Sequence, residues 1–284
     1  MQGKVEHLPK LLQPFGIRVR YAYWKIRYVF SFRWVSVIFS SQSKPIDLGT
    51  FLSKKLIYPK QGIGRYQIDH YLQKISKKVK PNELVLDIGA GYQPYKNLFN
   101  HCNYETCDYK PILHDVGYTK HKQTFYCDIA NHIPRPENHY DTIICTQVLE
   151  HVKNPQKVIC ESYRILKPGG KLFLTVPQSF GVHQAPHNYF NFLKYGLEHL
   201  FENAGFTNVE VKPLGGIFHL LSKVQNNAFM YLLSKISMLY KILFSPIIII
   251  IQIFLFILSF VYFHLDKLDK EQTWTIHYGC YCIK

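Results

Sequence analysis

Between residues 84 and 211 the chain alternates apolar runs too short for a helix with, in most gaps, stretches of amphipathic helical spacing. The runs are Leu84 to Ile88, Tyr104 to Cys107, Thr124 to Tyr126, Thr142 to Cys145, Lys171 to Val176 and Thr207 to Val211. Helical patterns fill most of the gaps, notably Pro155 to Leu166 and Tyr195 to Ala204, the latter closed by Gly205. A helix over Arg65 to Val79 precedes the first run, with Ile68, Tyr71, Leu72 and Ile75 on one face and Pro81-Asn82 at its end. Strands alternating with helices through short connections imply an α/β fold, a parallel sheet doubly wound with helices on both faces. Ligands of such sheets bind at the carboxyl ends of the strands.

The loop after the first strand reads Leu84-Val85-Leu86-Asp87-Ile88-Gly89-Ala90-Gly91. Glycines at 89 and 91 remove Cβ atoms where the backbone must turn tightly and approach a ligand. A third glycine at 94 would complete a dinucleotide fingerprint, but position 94 is Pro, which weakens a nicotinamide or flavin reading. Asp108 closes the second strand 21 residues after Asp87, where a carboxylate can accept both ribose hydroxyls of a nucleoside. Asp128 ends the third strand, Asp141 opens the fourth, and RILKPGGKLFLTVP supplies a helix, a glycine turn and the fifth strand.

With these spaced features the chain resembles the class I S-adenosylmethionine-dependent methyltransferases, in particular the type 11 group, over roughly residues 65 to 216 and again at the last strand. The resemblance implies a Rossmann-like, mostly parallel seven-stranded sheet whose final strand inserts antiparallel between the fifth and sixth. It implies S-adenosyl-L-methionine as cofactor, with Asp87, Gly89 and Gly91 around the methionine part, Asp108 on the ribose, Asp128 with Ile129 at the adenine, and Gln147 with Val148 beside the donor sulfonium. It also treats Glu150-His151-Val152 as a structural element, so Glu150 is not assigned as a catalytic acid.

Methyl transfer from a sulfonium needs placement above all, with a base only where the acceptor must lose a proton. His151, after the fourth strand, and His183 and His187, in the loop after the fifth, are the candidate bases. The bland reading of each is a loop or capping histidine. No metal site is expected, because no histidine pair joins a carboxylate at helical spacing. Nor do the seven cysteines show paired zinc spacing or a secreted disulfide pattern; they read as reduced thiols. The opening residues lack a secretory signal, so the catalytic domain is expected on the cytoplasmic side.

Residues 242 to 263 hold no charge over 22 positions, a length sufficient to cross a hydrocarbon core as a helix. Beyond them, 274 to 283 alternates as a strand does. If that strand joins the sheet, both ends of 217 to 273 must lie on the same side of any membrane. One solution is a monotopic or re-entrant hairpin of 226 to 244 against 246 to 263, turning at Ser245-Pro246; the other is a single crossing that leaves the last strand outside the sheet. The alternation favours the hairpin.

Charge points the same way. The net charge is +15, and residues 1 to 60 carry 11 basic and 2 acidic side chains against 17 and 14 in residues 61 to 216. Within this basic flank, Ile17 to Phe39 interleaves Arg and Lys with Tyr, Trp and Phe, which suits an anionic membrane surface. Such a mixture also suits single-stranded nucleic acid, although an apolar insertion has no use in an RNA enzyme. The organisation read from the sequence is therefore a basic aromatic extension (1–60), a methyltransferase core (61–216), an apolar helical insertion (217–272) and a final core strand (273–284). The expected function is methylation of an amphipathic or lipid-linked small molecule or glycan at the membrane surface. The alternatives are an RNA or protein methyltransferase using the basic flank, and a non-catalytic membrane scaffold that retains the fold. The oligomeric state is not legible.

Overall fold

The structure is a computed structural model and describes residues 62–110 and 121–284. Expectations for the basic flank, including Ile17 to Phe39, lie outside the described residues. Seven strands form one sheet: β1 (Leu84–Ile88), β2 (Asn103–Asp108), β3 (Phe125–Tyr126), β4 (Tyr140–Thr146), β5 (Leu166–Pro177), β6 (Thr207–Leu214) and β7 (His277–Ile283), in the order β3-β2-β1-β4-β5-β7-β6. Pairings from β3 through β5 are parallel, and β7 runs antiparallel to both β5 and β6. The final strand thus sits inside the sheet, as the resemblance implied. It begins at His277 rather than 274; Trp274 stays largely exposed, and both faces of the strand are mostly buried because the sheet is covered on each side. β5 is longer than its apolar run, extending back through Gly169 to Leu166.

The helices are α1 (Ile63–Ser76), α2 (Pro155–Ile165), α3 (Lys194–Asn203), α4 (Ile217–Lys235), α5 (Met238–Leu243) and α6 (Ser245–Leu265). α2 starts where its sequence says it should: the Asn154 side chain accepts from the Lys157 N–H at 3.3 Å and Pro155 occupies the first turn. α1 covers one face of the sheet with Ile68, Leu72 and Ile75 against Val85, Ile144 and Phe173. It crosses β7 so closely that a Cβ at Gly279 would lie 2.7 Å from the Tyr71 ring, while the Tyr71 hydroxyl donates to the Cys280 carbonyl at 2.7 Å. α2 and α3 cover the opposite face through Val158, Ile159, Leu197 and Phe201.

The insertion is a helical hairpin, α4 against α6, with α5 at its tip. It differs from the hairpin read from the sequence: the first arm starts at Ile217 and ends at Lys235, and Ser245-Pro246 opens the second arm instead of forming the turn. Proline fits there because the first turn of a helix has no use for its missing N–H. Near the root the arms are tied by the buried Ser259 hydroxyl, which accepts from Gln225 at 2.8 Å and from Asn226 at 3.0 Å. The two ends of the insertion are clamped together. Asp266 accepts from the Gly216 and His219 N–H groups, each at 2.9 Å, and Asp269 accepts from the Ile217 N–H at 2.8 Å. These carboxylates satisfy the free N–H groups that start α4. With β7 in the sheet and the hairpin closed at its base, the single-crossing alternative fails.

Candidate active site

The carboxyl ends of β1, β2, β4 and β5 meet at one edge, and the residues proposed from sequence lie along it. After β1 the chain turns through Gly89 (φ 68°) and Gly91 (φ 55°), both in the left-handed region. A Cβ at Gly89 would meet the Val148 side chain, with Cγ1 only 2.9 Å away. Glycine at 89 is thus required by packing against Val148 as well as by the turn, a reason invisible in the sequence. The loop is laced to its neighbours. The Gly91 N–H donates to Asp108 Oδ2 at 2.8 Å, the Tyr109 N–H donates to Asp108 Oδ1 at 2.7 Å, and Gln123 Nε2 donates to the Gly91 carbonyl at 2.8 Å.

Asp87 is buried, and burial pushes its carboxyl up to about 7 although the Tyr104 hydroxyl, donating at 2.5 Å, favours the ionised form. Asp108 is also raised by burial, against the two backbone N–H groups that favour its charge. Asp128 sits after β3, its oxygens accepting from the Ala130 N–H at 3.0 Å and the Asn131 side chain at 2.8 Å. The Ile129 side chain is buried in the core.

Gln147 follows β4 in the left-handed region (φ 54°), held by its N–H to the Thr175 carbonyl at 2.9 Å. Non-glycine residues adopt this conformation at a cost and concentrate at functional sites. A short turn, Leu149–His151, then buries Glu150 completely, with neither carboxylate oxygen hydrogen-bonded, and desolvation raises its carboxyl to about 8. His151 Nδ1 lies 2.5 Å from the His187 carbonyl, and His183 Nδ1 lies 3.1 Å from the Gly181 carbonyl. A carbonyl can only accept, so Nδ1 carries the hydrogen in both rings and Nε2 keeps its lone pair. The rings meet edge to face with centroids 4.8 Å apart. Burial lowers both imidazoles, His151 to about 4, so each is neutral near pH 7. His187 is linked to this pair through its main-chain carbonyl.

Glu150, His151 and His183 offer ligand atoms within 4.8 Å of one another. Spacing in the sequence hid this grouping because the fold, not a helix period, assembles it. Glu150 would have to shed its proton before binding a cation. Other groups at the edge were also missed. Phe180 stands between His183 (centroids 5.0 Å) and the buried His277 (5.6 Å), and Lys223, from α4, lies over the Phe180 ring at 3.0 Å. These residues come from separate parts of the chain, and no local pattern joins them.

A methyltransferase-domain family model matches residues 61–211, just over half of the chain. An uncharacterised protein from Methanocaldococcus jannaschii is 36% identical over 102 residues, covering 34% of this chain and 42% of that protein. A ubiquinone biosynthesis O-methyltransferase from Rickettsia typhi is 32% identical over 124 residues, covering 35% of this chain and 50% of that enzyme. The matched segments thus span half or less of these relatives. Among solved structures, an S-adenosylmethionine-dependent methyltransferase from Archaeoglobus fulgidus superimposes with a TM-score of 0.50 at 14% identity, covering 83% of this chain and 99% of that one. Strand order, the antiparallel seventh strand and the family match agree: the chain belongs to the class I S-adenosylmethionine-dependent methyltransferases.

Proposed function

We propose that this methyltransferase works at a membrane surface on an amphipathic or lipid-linked acceptor, a small molecule or glycan. The observation that carries the reading is where the hairpin is rooted. α4 leaves β6 at its carboxyl end, the same edge that carries the candidate active site. α6 and the turn that follows it, Ser245–Leu268, contain an 18-residue window with a mean hydropathy of 2.6, 6% of which is buried. Ile247, Ile250, Phe254, Ile257 and Val261 form an exposed stripe along it, and the tip adds Met238, Leu239, Ile242, Leu243 and Phe244. Exposed apolar surface on this scale is costly in water and is satisfied in lipid. An acceptor held in the same leaflet would reach the edge without leaving the membrane. The relatives named as ubiquinone biosynthesis O-methyltransferases support a quinone-type lipid as one such acceptor.

The donor set suits the cofactor. S-adenosylmethionine supplies a methyl group on a positively charged sulfur when bound. Asp87, Asp108 and Asp128, acceptors when ionised, line the β1 to β3 half of the edge, where a cation with amino and hydroxyl donors is complementary. In this reading Asp108 holds the ribose hydroxyls, Asp87 with the Gly89–Gly91 turn the methionine part, Asp128 and the Ile129 main chain the adenine, and Gln147 with Val148 flank the transferring group. His151 or His183 takes the acceptor proton at Nε2.

Asp87 sets a pH dependence. With its carboxyl at about 7, it is protonated in much of the free protein below that pH, and cofactor binding must displace that proton. Cofactor affinity measured by calorimetry is expected to rise as pH goes from about 5.5 to 7, and the rise should flatten in Asp87→Asn. A wild-type profile that is flat or falls across that window would remove Asp87 from the cofactor site.

The test of the membrane reading is transfer of labelled methyl from S-adenosylmethionine to a crude lipid extract beside RNA and protein fractions. Label is expected in the lipid fraction; label confined to RNA or protein would refute it.

A further inference from the structure

Of the eight buried side-chain polar atoms without a hydrogen-bond partner among the described residues, six lie along the functional edge: Thr146 Oγ1, both Glu150 oxygens, Asn188 Nδ2, Lys223 Nζ and His277 Nδ1. Buried polar atoms are nearly always paired, so such a concentration marks places where another molecule completes the pairing. The six are sorted. Oxygens stand at the end of β4, and the three nitrogens stand on the β5 and β7 side.

Lys223 is the sharpest of them. Its Nζ is buried against the face of Phe180, the Phe180 ring in turn touches His183 and His277, and no carboxylate among the described residues pairs with it. The charged or titratable groups that feel it are His183 and His277, and both are disfavoured as cations by its presence. Burial alone pulls Lys223 down to about 7. An ammonium without a counter-charge is a poor structural element: it costs desolvation and returns one ring contact. In the loop that carries Phe180 and His183, the Asn188 side-chain oxygen accepts from the His183 main-chain N–H at 3.4 Å, and its buried Nδ2 has no partner. The aspartates proposed for the cationic cofactor lie on the other half of the edge.

We propose that Lys223, with His277 and Asn188, forms a subsite for an oxyanion carried by the methyl acceptor, a carboxylate or phosphate. The proposal rests on reading this edge as the acceptor site, and it gives the insertion a second role. α4 anchors the enzyme and also reads the substrate. Lys223 Nζ and the imidazoles of His183 and His277 all pack on the Phe180 ring, so the acidic group is held next to the His151 and His183 pair.

The test is calorimetry on the full chain in detergent, titrating inorganic phosphate and benzoate separately, each with and without S-adenosylmethionine. Wild-type protein is expected to bind at least one of them saturably, and which one identifies the acid. In Lys223→Met that affinity should fall about tenfold or more, while Lys223→Arg keeps most of it. S-adenosylmethionine affinity should be the same in all three proteins. Absence of saturable anion binding in wild type, or equal binding in Lys223→Met, overturns the proposal. Loss of cofactor affinity in a folded Lys223→Met also overturns it, because the charge then serves the cofactor's own carboxylate. His277→Asn carries the same comparison if Lys223→Met does not fold. A wild-type protein that binds an anion but no S-adenosylmethionine would fail the reading of the edge as an acceptor site while leaving the anion subsite standing.

Discussion

Replacing Asp108 by Ala is expected to weaken S-adenosylmethionine binding by about 1.5 to 3 kcal/mol, roughly ten- to 150-fold in Kd. Two losses combine. The carboxylate no longer accepts from the ribose, and the Gly91 N–H loses the oxygen that holds the loop after β1, now 2.8 Å away. Asp108→Asn separates them. Its amide oxygen can still accept from Gly91 or Tyr109, so the loop is retained while the charge is gone, and its affinity should fall between wild type and Ala. Calorimetry decides the matter. Wild-type affinity in Asp108→Ala would reject the ribose assignment and leave Asp108 as a loop fastener.

Deleting 226–263 and joining the ends with a short linker is expected to release the protein from membranes while cofactor affinity stays within about threefold of wild type. The cut spares the parts that matter to the core. Lys223 remains on the stub of α4, and Asp266 and Asp269 still cap its first turn from the other end of the insertion. What is removed is the exposed apolar stripe of α6 and the tip, with the Ser259 hydroxyl that ties the arms together. Flotation with vesicles and cofactor calorimetry read the two halves of the expectation. Continued co-flotation of the deleted protein would move the membrane contact away from the hairpin.

Much of the fold was legible because a parallel sheet leaves a strong local imprint. Strands buried on both faces are mostly apolar, as Leu84 to Ile88 is apart from Asp87, and the placing of the last strand within the sheet followed from the family resemblance. Boundaries moved by a few residues where the signal was side-chain character alone: β5 runs through Gly169, and β7 starts only at His277. The hairpin was legible as a constraint rather than a shape. An uncharged stretch flanked by two strands of one sheet must return to its starting side, but the position of the turn depends on how the arms pack, through Gln225, Asn226 and Ser259.

The residues we propose for the cofactor are legible in the sequence. Asp87, Gly89, Gly91, Asp108 and Asp128 lie at or just beyond the ends of successive strands, so regular spacing along the chain becomes a row along one edge. Even there the structure changed a reason, since Val148 forbids a side chain at Gly89. The proposed acceptor half was legible only in part: His151 and His183 stood out as candidate bases, but not their grouping with each other or with His277 and Lys223. His151, His183, His277 and Lys223 come from a turn, a loop, a strand end and an inserted helix, and their grouping is a product of β7 entering between β5 and β6 and of α4 returning over the same edge. Local pattern determines elements because propensity and burial act over a few residues. Which distant side chains share a cavity is decided by how those elements pack, and only the tertiary structure carries that information.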